Sequence, residues 1–181
     1  MTITEVVKLA NSPKYKAPFS FFKEHVFPHT LFWEGGSQLH KVSGDSGGYT
    51  IYGIAYEYNK NYFKNLDDFK DTVFEEAAAL AFIKYYMPIR ADLVPEQSRL
   101  MYFDMAFNMG SSRAVKIAQK CLGIAVDGLV GPHTLEVLKT LTKECLYLER
   151  KKFYYNLAEK RAKLGKFLKG WLNRTEDIYK R

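Results

Sequence analysis

The stretch WEGGSQLHKVSGDSGGYTIYGI, residues 33 to 54, decides how the rest of the chain is read. Glu34 follows directly on the apolar, aromatic run HVFPHTLFW, residues 25 to 33. A carboxyl against such surroundings has its charged form disfavoured, so the sequence predicts a raised pKa for Glu34. A general acid working near neutral pH needs that property. Gly35 and Gly36 come next and let the backbone turn sharply or approach a ligand closely, which makes Gly36 a candidate substrate-binding position. The stretch from Glu34 to Thr50 is rich in glycine and has no helical period, which predicts turns and a short β-hairpin.

Asp45 lies among Ser46, Gly47 and Gly48, a polar setting in which a carboxylate stays ionised. One carboxyl in an apolar site and one in a wet site is the division of labour used in glycoside hydrolysis. Thr50 follows, with a hydroxyl able to hold a water against a reacting carbon. On physics alone the competing readings stay open. Glu34 can be a helix-terminal carboxylate near its own backbone, and Asp45 a turn-forming loop residue.

Beyond this stretch, helical signals dominate. Residues 1–16 read as a short helix and a loose lead-in. Thr72 and Glu75 have capping-box spacing ahead of AAALAFIKYYM, a helix expected to stop near Pro88. Pro95 suits the first turn of a helix ending at Gly110. Ser111 or Ser112 can cap the next helix, which Gly123 closes; Asp127-Gly128 reads as a turn, and Gly131-Pro132 opens a further helix. A long amphipathic segment runs from Leu141 to Leu164, and a last element holds Phe167, Leu168, Trp171 and Leu172. The fold class is therefore mainly α (α+β), with a small N-terminal β-hairpin and a helical C-terminal subdomain. The composition shift near Gly110 divides the chain into a lead-in (1–16), a first domain (17–110) that holds the candidate chemistry, and a helical region packed on it (111–181).

Lys and Arg number 27 against 20 Asp and Glu, a net charge of +7 that favours anionic partners without choosing among them. No helix-turn-helix, RNP or zinc-finger pattern supports nucleic-acid binding. No apolar run approaches the roughly 20 residues needed to cross a bilayer, so no stable membrane insertion is expected. The N-terminus shows no apolar h-region, which implies synthesis in the cytoplasm without a Sec signal. Scattered His and the lack of a CxxC pair argue against a metal site, and no cofactor is implied. Cys121 and Cys145 lie in apolar-periodic segments, where a buried free thiol is the simplest expectation and a disulfide is the alternative.

The residues Glu34, Gly35, Gly36, then Asp45, Gly47, Gly48, Thr50, Tyr52, Gly53 and Ile54 resemble the signature of glycoside hydrolase family 108, a group of N-acetylmuramidases. Ser37 stands where that family usually has Tyr, and Ser46 where it usually has Pro. DMAFNMG (104–110) resembles the family's helix ending in Asn-x-Gly, and AQKCLGIAVDGLVGPHTL (118–135) its predicted peptidoglycan-binding region. FLKGWLNR (167–174) resembles its G-W-x-N-R ending. The resemblance implies a lysozyme-like fold and cleavage of the β-1,4 bond between N-acetylmuramic acid and N-acetylglucosamine, with Glu34 as the acid. The Glu, Asp, Thr order also resembles the triad of phage-type lysozymes, and by that analogy Asp45 and Thr50 are assigned.

Tyr52 is a candidate for stacking on sugar or for core packing. Asp104 and Asn108, four apart on one helix face, are candidates for substrate contact or for bracing the hairpin. Trp171 reads as a core anchor, with Asn173 and Arg174 fixing that end. The expected partners are peptidoglycan glycan strands, with a holin or an export system giving access to the periplasm or wall. A non-catalytic wall-binding protein and a lytic transglycosylase are the alternative readings.

Overall fold

The computed structural model describes residues 1–41 and 48–181, which form two compact units, Met1–Lys84 and Tyr85–Arg181. The helix ending at Gly110 thus belongs with the C-terminal helices, because its buried face packs on them. The composition shift at Gly110 is a boundary between adjacent helices inside the second unit.

The first unit begins with α1 (Ile3–Ala10), closed at its N-terminus by a reciprocal pair: Glu5 N–H donates to Thr2 Oγ1 at 3.3 Å and Thr2 N–H to Glu5 Oε2 at 2.7 Å. Ile3, Val6 and Ala10 recur at helical spacing and are buried. Two helices follow, α2 (Lys16–His25) and α3 (Phe27–Trp33), the second with Pro28 in its first turn, where a missing N–H costs nothing. Phe19 and Phe22 meet Phe82 at ring-centroid distances of 5.2 and 5.5 Å, and Phe22 also stacks on Phe27. These rings are the centre of the unit's core.

Three short antiparallel strands come next, β1 (His40–Lys41), β2 (Tyr49–Ile51) and β3 (Ile54–Ala55), in the order β1-β2-β3. The expected hairpin thus carries a third strand. A short α4 (Leu66–Lys70), capped by the Asn65 side chain, leads to α5 (Phe74–Ala81), which packs against α1. The cap of α5 falls one residue later than the spacing suggested. Thr72 Oγ1 donates back to the Phe69 carbonyl at 2.6 Å, so Glu76 rather than Glu75 folds back, accepting from Val73 N–H at 3.1 Å. Glu75 instead pairs with Lys23 of α2 at 2.8 Å.

The second unit holds α6 (Glu96–Met109), α7 (Ser111–Leu122), α8 (Pro132–Val137), α9 (Lys143–Lys160) and α10 (Leu168–Lys180). Gly123 ends α7 in a left-handed conformation, as its position suggested. The free-thiol expectation is replaced by a disulfide between Cys121 of α7 and Cys145 of α9, 24 residues apart in sequence. Closing a loop of that length contributes about 3 kcal/mol through the unfolded state. Between α7 and α8, the buried Gln119 side chain receives Gly128 N–H at 2.8 Å and donates to Asp127 Oδ1 at 2.7 Å and the Leu129 carbonyl at 2.9 Å. Gly128 has φ +83°, and a Cβ there would lie 2.6 Å from Ser112 Oγ and 3.1 Å from the Ser112 carbonyl oxygen. The Asp127-Gly128 turn therefore needs glycine twice over, for conformation and for space.

Asp104 of α6 is fully buried, with Arg150 of α9 at 2.7 Å and Arg174 of α10 at 2.8 Å. The carboxylate expected to touch substrate or to brace the hairpin instead ties three helices of the second unit together. Burial alone would raise its pKa. The charges of Arg150 and Arg174, with their hydrogen bonds, outweigh burial and hold Asp104 below the ordinary carboxyl range. Because the folded pKa is depressed, this stabilisation is present above the unfolded value of about 3.9 and is lost as pH falls through the folded value. Asp104→Ala leaves two buried guanidinium groups uncompensated, and denaturant titration should show a loss of about 3–5 kcal/mol at neutral pH. The gap between native and variant should shrink as the titrations move to acid pH.

Candidate active site

The geometry around Glu34 is set by how α3 ends. Glu34 is the residue that closes the helix, at φ −102° and ψ 12°, and its N–H donates to the Leu31 carbonyl at 3.0 Å. Gly35 and Gly36 then take positive φ values of +83° and +64°, and Gly36 N–H also reaches the Leu31 carbonyl at 3.0 Å. Two successive left-handed residues turn the chain away from the helix axis, a path that residues with side chains resist. The Gly36 carbonyl in turn accepts from Tyr52 N–H at 3.1 Å. That bond fastens the helix end to the turn between β2 and β3, so Glu34 sits where helix and sheet meet. The residue is half-buried.

Thr50 occupies the middle strand, opposite His40 of β1 on one side and Ala55 of β3 on the other. It is half-buried, in a position fixed by pairing on both edges. Gly36 faces open space, with nothing within 4 Å of where a Cβ would stand. Tyr52 has a left-handed backbone, φ 52°, and its ring meets Phe74 edge-on at 6.3 Å. Asp45 lies outside the described residues. The structure thus brings Glu34, Gly36, Thr50 and Tyr52 into one neighbourhood.

The other two candidates are held within the second unit. Asp104 is enclosed by its arginines, and no face of it is open to a ligand. Asn108 is exposed, and its Oδ1 accepts from Tyr154 Oη at 2.7 Å. Tyr154 is stacked on Trp171 at 5.0 Å, so Trp171 anchors the last helix through the same side chain that steadies Asn108.

Phe32 is a feature the sequence reading missed. The run before Glu34 was expected to shelter it, and Phe27, Thr30 and Leu31 are indeed buried. Phe32, however, is 71% exposed, and its ring stands edge-on to Trp33 at 5.8 Å. Burial at 27, 30 and 31 leaves position 32 on the outer face. Helix phase carries that signal, but a seven-residue helix is too short to reveal it in sequence alone. No group of three or more His, Cys, Asp or Glu able to hold a metal occurs among the described residues.

A helix-terminal carboxylic acid beside a small antiparallel sheet, in a mostly helical chain, defines the class: the protein has an α-rich lysozyme-like fold. Residues 27–110 match the family "Glycosyl hydrolase 108" and residues 113–176 match "Predicted Peptidoglycan domain". Residues 27–110 thus fall in the glycosyl hydrolase 108 family, and the two matched domains together indicate a glycosidase that hydrolyses peptidoglycan. A solved structure with a similar fold is "Structure of Brucella abortus SagA", with a TM-score of 0.70 at 24% identity, over 92% of this chain and 94% of that one. At that identity the likeness speaks for the fold alone. Among curated proteins, none matches the chain.

The two left-handed glycines give a direct test of this construction. Gly35→Ala and Gly36→Ala should each cost about 1 kcal/mol in thermal unfolding, from backbone strain, since no clash closer than 3.8 Å arises at either position. Activity on cell walls should fall further than that loss of stability explains.

Proposed function

We propose that the protein cleaves the β-1,4 bond between N-acetylmuramic acid and N-acetylglucosamine, with Glu34 as the proton donor. The observation that carries this reading is the half-buried position of Glu34 at the junction of α3 and the sheet, where the Tyr52–Gly36 bond fastens the helix end. Glu34 delivers its proton to the glycosidic oxygen as the bond to the sugar carbon breaks. Positive charge builds on that carbon in an oxocarbenium-like transition state. A water held by the Thr50 hydroxyl attacks from the opposite face, and its proton passes to the Asp45 carboxylate. This sequence inverts the anomeric configuration, because the water takes the place a nucleophilic carboxylate would occupy in a retaining enzyme.

The open backbone at Gly36 lets a sugar approach closely, and the exposed ring of Phe32 offers a flat apolar face for it. Both lie within four residues of the proton donor in sequence, so contacts made there bear directly on how the scissile bond is placed.

Glu34→Gln should lower the release of reducing ends from purified sacculi by at least about 100-fold with an unchanged circular dichroism spectrum. Mass spectrometry of the products identifies the bond: reducing ends on muramic acid support hydrolysis, whereas anhydro-muramic ends mean a lytic transglycosylase. Binding to sacculi without any release of ends would mean a non-catalytic wall-binding protein. For Phe32→Ala the expected result is a raised KM with kcat little changed, the pattern of a contact made equally in ground and transition states.

A further inference from the structure

The second unit carries a groove of about 390 Å3 between α7 and α9, within the size range of small-ligand sites. Its rim holds Arg113, Lys116, Lys120, Lys152 and Lys160, with Glu149 as the sole acidic lining residue. Glu149 accepts from Lys120 at 2.9 Å and Lys152 at 2.7 Å, and these hydrogen bonds keep its carboxyl below the usual range. Lys116 and Lys160 make no ion pair among the described residues. Arg113 is steadied by the Met109 carbonyl at 2.8 Å and lies over the Phe153 ring at 5.2 Å. Ile117, Phe153 and Leu157 supply an apolar floor. The groove is therefore apolar at its base and strongly cationic around its edge.

All of these lining residues fall within the segment matched as a predicted peptidoglycan domain. The glycan of peptidoglycan presents hydroxyl and acetamido groups, which a ring of ammonium groups does not select. Its stem peptides present free carboxylates next to methyl and methylene groups, complementary to this rim and floor. We propose that the groove between α7 and α9 binds the carboxylates of peptidoglycan stem peptides. This inference rests on peptidoglycan being the substrate, and it assigns the peptide rather than the sugar to this face. Binding holds the protein on cross-linked wall while the glycan is cut, and it weakens with salt because the cations are exposed.

The test uses the full chain and a soluble stem tetrapeptide containing glutamate and diaminopimelate, followed by calorimetry and by NMR of the α7 and α9 amides. The native protein should bind the peptide, and Lys116→Glu/Lys152→Glu should weaken binding by about tenfold or more, since charge-assisted bonds are lost. A peptide with amidated carboxylates should bind no better to the native protein than to the variant. Hydrolysis of glycan strands stripped of peptide, with the freed lactyl carboxyls capped as methylamides, should be the same for both proteins. Absence of peptide binding overturns the proposal, as does equal affinity in the variant. Stronger binding of teichoic acid, anionic vesicles or duplex DNA at the same amides also overturns it. Should native protein release no reducing ends from sacculi, the hydrolase reading fails while peptide binding still judges the groove.

Discussion

The Asp104 carboxylate receives two guanidinium groups at once, from Arg150 and Arg174, in a space closed to water. Such an arrangement is costly to bury and costly to break. Removing any one partner strands a charge, whereas the complete set pairs the carboxylate with both guanidinium groups through short hydrogen bonds. Its partners come from α6, α9 and α10, so the set fixes the register of three helices as well as their approach. The disulfide from α7 to α9 and the Gln119 node between α7 and α8 extend the same scaffold. The cationic groove between α7 and α9 inherits its rigidity from these ties.

This scaffold explains what the recognisable motifs are for. The motif beginning at Asp104 and the motif ending at Arg174 are opposite halves of one buried ion pair, 70 residues apart in the chain. The motif between them contains Gln119, Asp127 and Gly128, the residues of the polar node. Three of the four family-like segments thus hold the second unit together, and only the first, around Glu34, carries candidate chemistry. A residue's presence in a family pattern is therefore no guide to whether it meets the substrate.

The helical layout was legible because capping, glycine and proline signals are local. Gly123, which closes α7, and Pro132, which opens α8, each act within a turn of themselves. Long-range choices were not legible. Thr72 had the spacing of a cap, yet its hydroxyl turned back to Phe69, a preference decided by burial. Asp104 offered the same functional group as Glu34, and only the fold reveals two arginines around one. Cys121 and Cys145 met because α7 and α9 pack together, which no periodicity in either helix announces.

At the candidate site, the turn after Glu34 was readable for the same local reason. Two adjacent glycines after an apolar helix mark a place where the chain must adopt left-handed angles, and the structure puts both there. What sequence did not supply is the bond from Tyr52 N–H to the Gly36 carbonyl. A β2–β3 sheet of such short strands has little stability of its own. Fastening it to the helix end gives Thr50 a fixed place relative to the α3 terminus, without any side chain being spent on the connection. The positive φ of Tyr52 follows from that geometry: its N–H must face the helix while its ring still reaches Phe74. A strained tyrosine thus stands where glycine would relieve the backbone, because glycine would forfeit the ring that meets Phe74 of α5.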